Sequence, residues 1–142
     1  MTEHGHADSF RDLVVYQRAR AVTSAIFRLS KLFPKDEVYS LTDQVRRSSR
    51  SIGAQIAEAW GKRRYEKHFV SKLTDACAEE LETEHWVEMA RECGYVSQEQ
   101  SEQLMADLDA IGRMLSAMIQ KSHLFCTARS DRVREDIADY LA

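Results

Sequence analysis

The chain has 142 residues, of which 44% are hydrophobic and 30% are charged, with five glycines and one proline. This length predicts a single domain, and so few turn-forming residues argue against a β-sandwich or a doubly wound sheet, which leaves an all-helical fold. The formal net charge of −3 is unlike that of most nucleic-acid-binding domains, which are basic overall.

Cysteine usage and the chain's amino-terminal segment bear on where the protein works. Cys77, Cys93 and Cys126 are odd in number and widely spaced, which predicts reduced thiols in a cytoplasmic protein. No apolar run is long enough to cross a bilayer, so no membrane partner is expected. The polar residues 1–9 do not resemble a signal peptide and are predicted to be disordered.

Two helices are predicted in the first half of the chain. Apolar residues at spacings of three and four predict the first helix over about residues 10–32. Pro34 is expected to end it, because proline disfavours helical geometry at the preceding residue. The second helix is predicted over about residues 41–61, with Ser40 or Thr42 as its amino-terminal cap.

Two further helices follow, each with a seven-residue apolar repeat. On the third helix, residues 65–92, the repeat comprises Phe69, Leu73, Ala76, Glu80, Thr83, Val87 and Ala90. Gly94 is expected to end that helix, and Ser97 with Gln100 forms a capping-box motif for the fourth, which ends near residue 121. The fourth repeat comprises Leu104, Leu108, Ile111, Leu115, Met118 and Ser122.

Four long amphipathic helices with short connections predict an all-α fold. We expect an antiparallel up-down-up-down four-helix bundle over residues 10–122. The tail, residues 123–142, has mixed charge and enough apolar residues for a short helix that docks on the bundle or on a neighbouring subunit.

Opposite charges are segregated along the sequence. Residues 43–67 hold seven Lys or Arg against three acids, whereas residues 79–109 hold ten acids against one Arg. Such segregation creates local fields despite a small net charge. The residues predicted to contact nucleic acid are Arg46, Arg47, Arg50, Lys62, Arg63 and Arg64. Pairing of these arginines with the acidic helices, within or between subunits, is the competing interpretation.

No complete catalytic or metal-binding constellation is present in the sequence, so neither an enzyme nor a cofactor is expected. Glu82 and His85 form one Glu-x-x-His motif, but a di-iron bundle needs two such motifs. Glu58 and Glu80 lie near apolar stripes and, with Gln44, are predicted to form a buried polar network. A buried carboxylate needs hydrogen bonds or a cation, and the arginines of the second helix are its candidate partners.

Several short motifs resemble those of a known family. They are Tyr16, Phe33-Pro34, Gln44, Arg46-Arg47, Ser51-Ile52, Ile56-Ala57-Glu58, Glu80-Leu81-Glu82-Thr83 and Gly94-Tyr95. The set is similar to that of the four-helix-bundle proteins first noticed as reading frames in intervening sequences of bacterial 23S ribosomal RNA genes. The chain departs from this set at three positions. Gly53 stands where the family frequently has Pro, Gln55 where it usually has Asn, and Ala59 where it often has Gly.

The resemblance implies a four-helix bundle that assembles as a ring-like homopentamer. Some relatives of similar fold are accessory proteins of diversity-generating retroelements, which bind a reverse transcriptase and nucleic acid through basic surfaces. The first hypothesis is therefore a non-enzymatic homo-oligomeric adaptor that binds RNA, DNA or a reverse-transcriptase-like protein through the second helix. The alternative is a structural oligomer with a protein partner, whose arginines lie in salt bridges between subunits.

Overall fold

A computed structural model describes residues 7–126, and this part of the chain contains helices and no strand. The long helices are α1 (Val14–Ser30), α2 (Asp43–Gly61), α3 (Glu66–Glu92) and α4 (Gln98–Gln120), followed by the single-turn α5 (Ser122–Phe125). The all-α prediction is confirmed for these residues. The tail beyond residue 126 and residues 1–6 lie outside the described residues.

The amino-terminal turn is more ordered than the sequence predicted. Ser9 caps a 3₁₀ turn, Phe10–Asp12, in which Asp12 accepts a hydrogen bond from the Ser9 N–H and the Ser9 hydroxyl accepts one from the Arg11 N–H. The α-helical geometry starts only at Val14. Ser9 therefore belongs to the folded part of the chain, whereas the sequence placed it in a disordered segment.

From Lys35 onwards the connection between α1 and α2 is helical backbone, so α2 has no capped helix start. After Pro34 comes a 3₁₀ turn, Lys35–Glu37, and then a π turn, Val38–Thr42, which leads directly into α2. Thr42 itself has helical dihedral angles and makes no side-chain capping bond. The prediction that Ser40 or Thr42 caps the helix is wrong, because the preceding turns already supply carbonyl partners for the first N–H groups of α2.

One main hydrophobic core joins the four long helices. Helix α2 packs against α1 and α3, and α4 packs against α3 and α1. Every residue of the predicted repeats on α3 and α4 is buried, which confirms their periodicity. The centre of the core is formed by fully buried side chains, including Ile52, Ile56, Phe69, Leu73, Leu108, Ile111 and Leu115.

The turn between α3 and α4 follows the sequence prediction closely. Gly94 has a φ of 77°, the left-handed geometry that favours glycine after a helix. The Tyr95 N–H donates to the Ala90 carbonyl over 2.9 Å, and the Gly94 N–H donates to the Arg91 carbonyl over 3.0 Å. These bonds form a Schellman motif, which satisfies carbonyl groups at the end of α3.

The capping box of α4 provides a first test of the local chemistry. The Gln100 N–H donates to the Ser97 hydroxyl over 3.0 Å, and the Ser97 N–H donates to the Gln100 side chain over 2.9 Å. We expect Ser97→Ala to lower the free energy of unfolding by about 1 kcal/mol, because one N–H of the first turn is left without its partner. Urea denaturation measures the change. Ser116→Ala, at an exposed position inside α4, is the control and should leave stability nearly unchanged.

No helix in residues 7–126 combines the length and the apolar character required to span a membrane.

Candidate nucleic-acid interface

The basic residues predicted on α2 form one side of a larger surface, which α1 and α2 build together. Residues 13–35 contain five Lys or Arg and no acid, and residues 44–57 contain three arginines and no acid. The two helices approach closely: the Thr23 hydroxyl donates to the Ser49 carbonyl over 3.0 Å. A Cβ atom on Gly53 would lie in ordinary contact with the Tyr16 ring. Cations of both helices therefore share one face.

Three cations converge on the half-buried ring of Phe27. The Lys31 ammonium lies 4.7 Å from the ring centroid, and the guanidinium carbons of Arg46 and Arg50 lie 4.8 and 5.6 Å from it. Arg46 is also held by a 2.7 Å hydrogen bond from its Nε to the Ser30 hydroxyl. We call this set, Phe27, Lys31, Arg46 and Arg50, the Phe27 cluster.

The cations of the Phe27 cluster have no carboxylate partner among the residues that the structure describes. Cation–π contacts attract each cation to the ring, but they do not cancel its charge. Like charges held this close repel one another, so an anion placed among them would be attracted by all three. The arrangement is chemically suited to a phosphate group.

Arg47 points to a different neighbour and is already paired. Its guanidinium contacts the carboxylates of Glu79, over 3.4 Å, and of Glu82 on α3. The Trp86 indole N–H donates to the same Glu82 carboxylate over 3.0 Å. The hydrogen bond to Glu82 and the charges of both carboxylates raise the pKa of Arg47. Within this chain Arg47 thus joins α2 to α3, as the pairing interpretation expects for some of the arginines.

The second basic group lies at the other end of α2. Arg63 stacks on the Trp60 ring at 3.4 Å and donates from Nε to the Trp60 carbonyl over 2.9 Å. Arg64 lies 5.7 Å from the centroid of the Tyr65 ring, and Lys62 is exposed just after the helix. At 1.5 Å per residue, about 22 Å of helix separates Arg46 from Gly61, where α2 ends just before this second group. The six predicted residues therefore form two separate groups.

The predicted buried network of Gln44, Glu58 and Glu80 is only partly buried. Glu58 is exposed and forms a 3.0 Å ion pair with Lys72, because it faces the rim between α2 and α3. The Gln44 side chain is half-buried and donates to the Tyr39 carbonyl at 3.4 Å. Glu80 alone is buried, at 3% exposure. The arginines expected to neutralise Glu80 do not reach it. Arg46 and Arg50 contact Phe27 of α1, and Arg47 pairs with other carboxylates of α3. Glu80 instead faces Gly112 of α4.

Metal-ligating side chains do not converge in the part of the chain that the structure describes: no group of three or more His, Cys, Asp or Glu residues could hold a metal ion there. His85, the histidine of the Glu-x-x-His motif, is exposed and packs edge-on against Trp86. Within residues 7–126 the cysteines are not joined in disulfides.

Sequence reasoning missed the contribution of α1 to this basic surface. Lys31 and Phe27 lie one turn apart on α1, and Arg20 donates to the Tyr16 hydroxyl over 3.3 Å on the same helix. The available signal was the absence of acids from residues 13–35, which the sequence shows directly. Without the α1–α2 contact, nothing indicated that these cations lie beside Arg46 and Arg50.

Known proteins resemble the chain in both sequence and fold. Residues 11–117 match the model of a family described as 23S rRNA-intervening sequence protein. A crystal structure from Bacteroides thetaiotaomicron, described as a protein with unknown function from the S23 ribosomal protein family, is similar with 32% sequence identity and a TM-score of 0.68. That similarity covers 75% of this chain and 98% of the other. No curated protein matches the chain.

Proposed function

Because the chain belongs to the 23S rRNA-intervening sequence protein family, as its motifs predicted, we propose that it is a non-enzymatic, homo-oligomeric adaptor that binds nucleic acid. The Phe27 cluster on α1 and α2 is the centre of the contact surface. The observation that carries this proposal is the convergence of Lys31, Arg46 and Arg50 without a carboxylate partner among the described residues. Phosphate groups would neutralise these charges and release bound counterions.

We propose that the helices form an antiparallel up-down-up-down bundle. Two ion pairs between α2 and α3 support this arrangement. Arg47 pairs with Glu82, and Glu58, which follows Arg47 by eleven residues, pairs with Lys72, which precedes Glu82 by ten residues. The partners therefore advance in opposite directions along the two helices. The short connection between α3 and α4 also favours antiparallel neighbours. In such a bundle the α1–α2 face and the acid-rich α3–α4 segments lie on different sides of the molecule.

Assembly would increase the effect of the Phe27 cluster. The family resemblance implies a ring-like homopentamer, and a cyclic assembly repeats each surface about its axis. Repeated clusters raise the local positive potential, which a net charge of −3 per chain would otherwise mask. Binding of this type follows the phosphate backbone, so we expect little preference for base sequence and a steep dependence on salt.

Charge reversal in the Phe27 cluster tests the proposal. We expect Arg46→Glu combined with Arg50→Glu to weaken binding to a mixed-sequence RNA strand by at least about tenfold at low salt, because attraction becomes repulsion. The slope of log affinity against log salt should fall by about one for each phosphate group that the variant no longer neutralises. Fluorescence anisotropy with RNA and with duplex DNA, over a salt titration, measures both quantities.

The matched control is Arg91→Glu combined with Arg113→Glu, which makes the same charge change at exposed residues of α3 and α4. If this control weakens binding as strongly as the double variant, the effect is one of total charge and the proposed surface is wrong. Equal affinities for wild type and the double variant would reject nucleic-acid binding by the Phe27 cluster.

A structural oligomer with a protein partner is the second candidate, and the ion pairs of Arg47 favour it. Those pairs show that α2 arginines and α3 carboxylates are complementary, and the same pairing could join subunits. In that case the Arg46/Arg50 double variant would lower the molecular mass measured by light scattering, and no form of the protein would bind RNA or DNA. A reverse-transcriptase-like protein is the partner class that the family resemblance suggests.

A further inference from the structure

The surface that holds the Phe27 cluster continues along the contact between α1 and α2. Tyr16, Thr23 and Ser30, spaced seven residues apart on α1, each contact a residue of α2. Because seven residues make about two helical turns, these contacts lie in one line along α1. We call this line of contact the α1–α2 seam.

Arg20 provides a second positive site on the α1–α2 seam. It precedes Phe27 by seven residues, so it projects from the same side of α1, about 10 Å further along the axis. Its guanidinium donates to the Tyr16 hydroxyl over 3.3 Å. Arg20 is exposed and has no carboxylate partner within residues 7–126. Positive charge therefore recurs along the seam, and one phosphate group could not neutralise both sites.

An exposed aromatic ring lies at the end of the seam that carries the Phe27 cluster. Tyr39 is 79% exposed, so its ring is open to solvent. Its carbonyl accepts a hydrogen bond from the Gln44 side chain over 3.4 Å. Gln44 lines the same surface depression as Arg46 and Arg50. The backbone of Tyr39 is thus held beside the cations of the cluster, while its side chain remains available to a ligand.

We infer that the ligand of this surface is single-stranded nucleic acid, an inference that rests on the proposed function. The strand would lie along the α1–α2 seam, with phosphate groups at Arg20 and at the Phe27 cluster and a base stacked on Tyr39. The cations follow one line, as the phosphates of one strand do. A duplex instead presents two rows of phosphates, separated by grooves about 6 and 12 Å wide.

The exposed ring separates a single strand from a duplex more sharply than the charges do. Unpaired bases can leave their neighbours and stack on an aromatic side chain, whereas the faces of paired bases are covered by the pairs above and below. Every base has such a face, so this contact requires no particular base sequence. The Tyr39 ring should therefore add affinity for single strands alone, and the cations should attract both forms.

Fluorescence anisotropy with one mixed-sequence RNA strand, alone or annealed to its complement, tests the inference on the full chain. We expect the wild type to bind the single strand at least about tenfold more tightly than the duplex at equal salt. Tyr39→Ala should weaken binding of the single strand at least about fivefold and leave binding of the duplex unchanged. Tyr39→Phe, which keeps the ring, should bind like the wild type.

Arg20→Glu tests the second phosphate site. We expect it to weaken binding of the single strand at least about fivefold, and to lower the slope of log affinity against log salt by about one. Arg18→Glu is the matched control, because Arg18 is also exposed on α1 but lies about 160° around the helix from Arg20. This control should have a clearly smaller effect on both quantities.

Three results would overturn the inference while the Arg46/Arg50 double variant still supports the proposed function. They are equal affinities for single strand and duplex, unchanged single-strand binding in Tyr39→Ala, and equal effects of Arg20→Glu and Arg18→Glu. If the wild type binds neither form of RNA, the proposed function is rejected, and the inference falls with it.

Discussion

Glu80→Gln is expected to make the protein more stable at neutral pH, by on the order of 2–3 kcal/mol in the free energy of unfolding. In the unfolded chain Glu80 ionises near its ordinary pKa of 4.5, whereas in the fold burial and Glu84 raise its pKa to about 9. Folding at neutral pH must therefore take up a proton. A glutamine of the same shape has no proton to take up, so this cost disappears.

The sign of the pH dependence follows from the same shift. Between about pH 4.5 and pH 9 the folded state binds more protons than the unfolded state, so this group makes stability fall as pH rises. The slope is at most about 1.4 kcal/mol per pH unit for one proton. In Glu80→Gln that slope is removed, and the stability difference from wild type grows from acidic to alkaline pH.

Urea denaturation followed by circular dichroism at several values between pH 5 and pH 9 measures the difference. Glu88→Gln removes an exposed carboxylate from the same helix, and its free energy of unfolding should vary with pH in the same way as that of wild type. A constant difference between Glu80→Gln and wild type across this range would show that Glu80 ionises normally in the fold.

The effect of Gly112→Ala on the free energy of unfolding is expected to change sign when Glu80 is replaced by alanine. In wild type the new Cβ atom would lie 2.6 Å from the Glu80 Oε1 atom and 3.6 Å from its Cδ atom. A buried side chain has little room to move away, so we expect the free energy of unfolding to fall by about 1–3 kcal/mol. In the Glu80→Ala background the oxygen is gone, and alanine should instead stabilise α4 by up to about 1 kcal/mol over glycine.

Unfolding measurements on the four proteins of this cycle give the coupling between the two positions. Gly61→Ala is the control, because a Cβ atom there meets nothing within 4 Å. Its effect should be the same in both backgrounds. If Gly112→Ala stabilises the wild-type protein, the Glu80 side chain is free to move away from α4 and the predicted clash does not occur.

Glu80 also shows what periodicity predicts and what it does not. The seven-residue repeat placed Glu80 among core positions, and the structure confirms its burial. The repeat could not identify the neighbours that come from α4, because they lie about thirty residues further along the chain. Sequence reasoning consequently expected arginine partners from α2. The side chain instead lies near Glu84 and Gly112.

Glu58 and Thr42 were misplaced for related reasons. Glu58 lies next to apolar residues in the sequence, but a small rotation about the α2 axis separates a core position from the rim where Lys72 is reached. Thr42 has the right residue type for a cap, yet the turns before it already form helical backbone. In both cases the outcome depended on packing between segments and not on local preference.

The sequence by itself determined the features that rest on local chemistry. The helical periodicity of α3 and α4, the glycine that ends α3 and the capping box of Ser97 and Gln100 each depend on residues within a few positions of one another. Tertiary structure decided which charges meet. The Phe27 cluster needs α1 beside α2, and the contact of Glu80 with Gly112 needs α3 beside α4, because their members are far apart in the chain and become neighbours only when the helices pack.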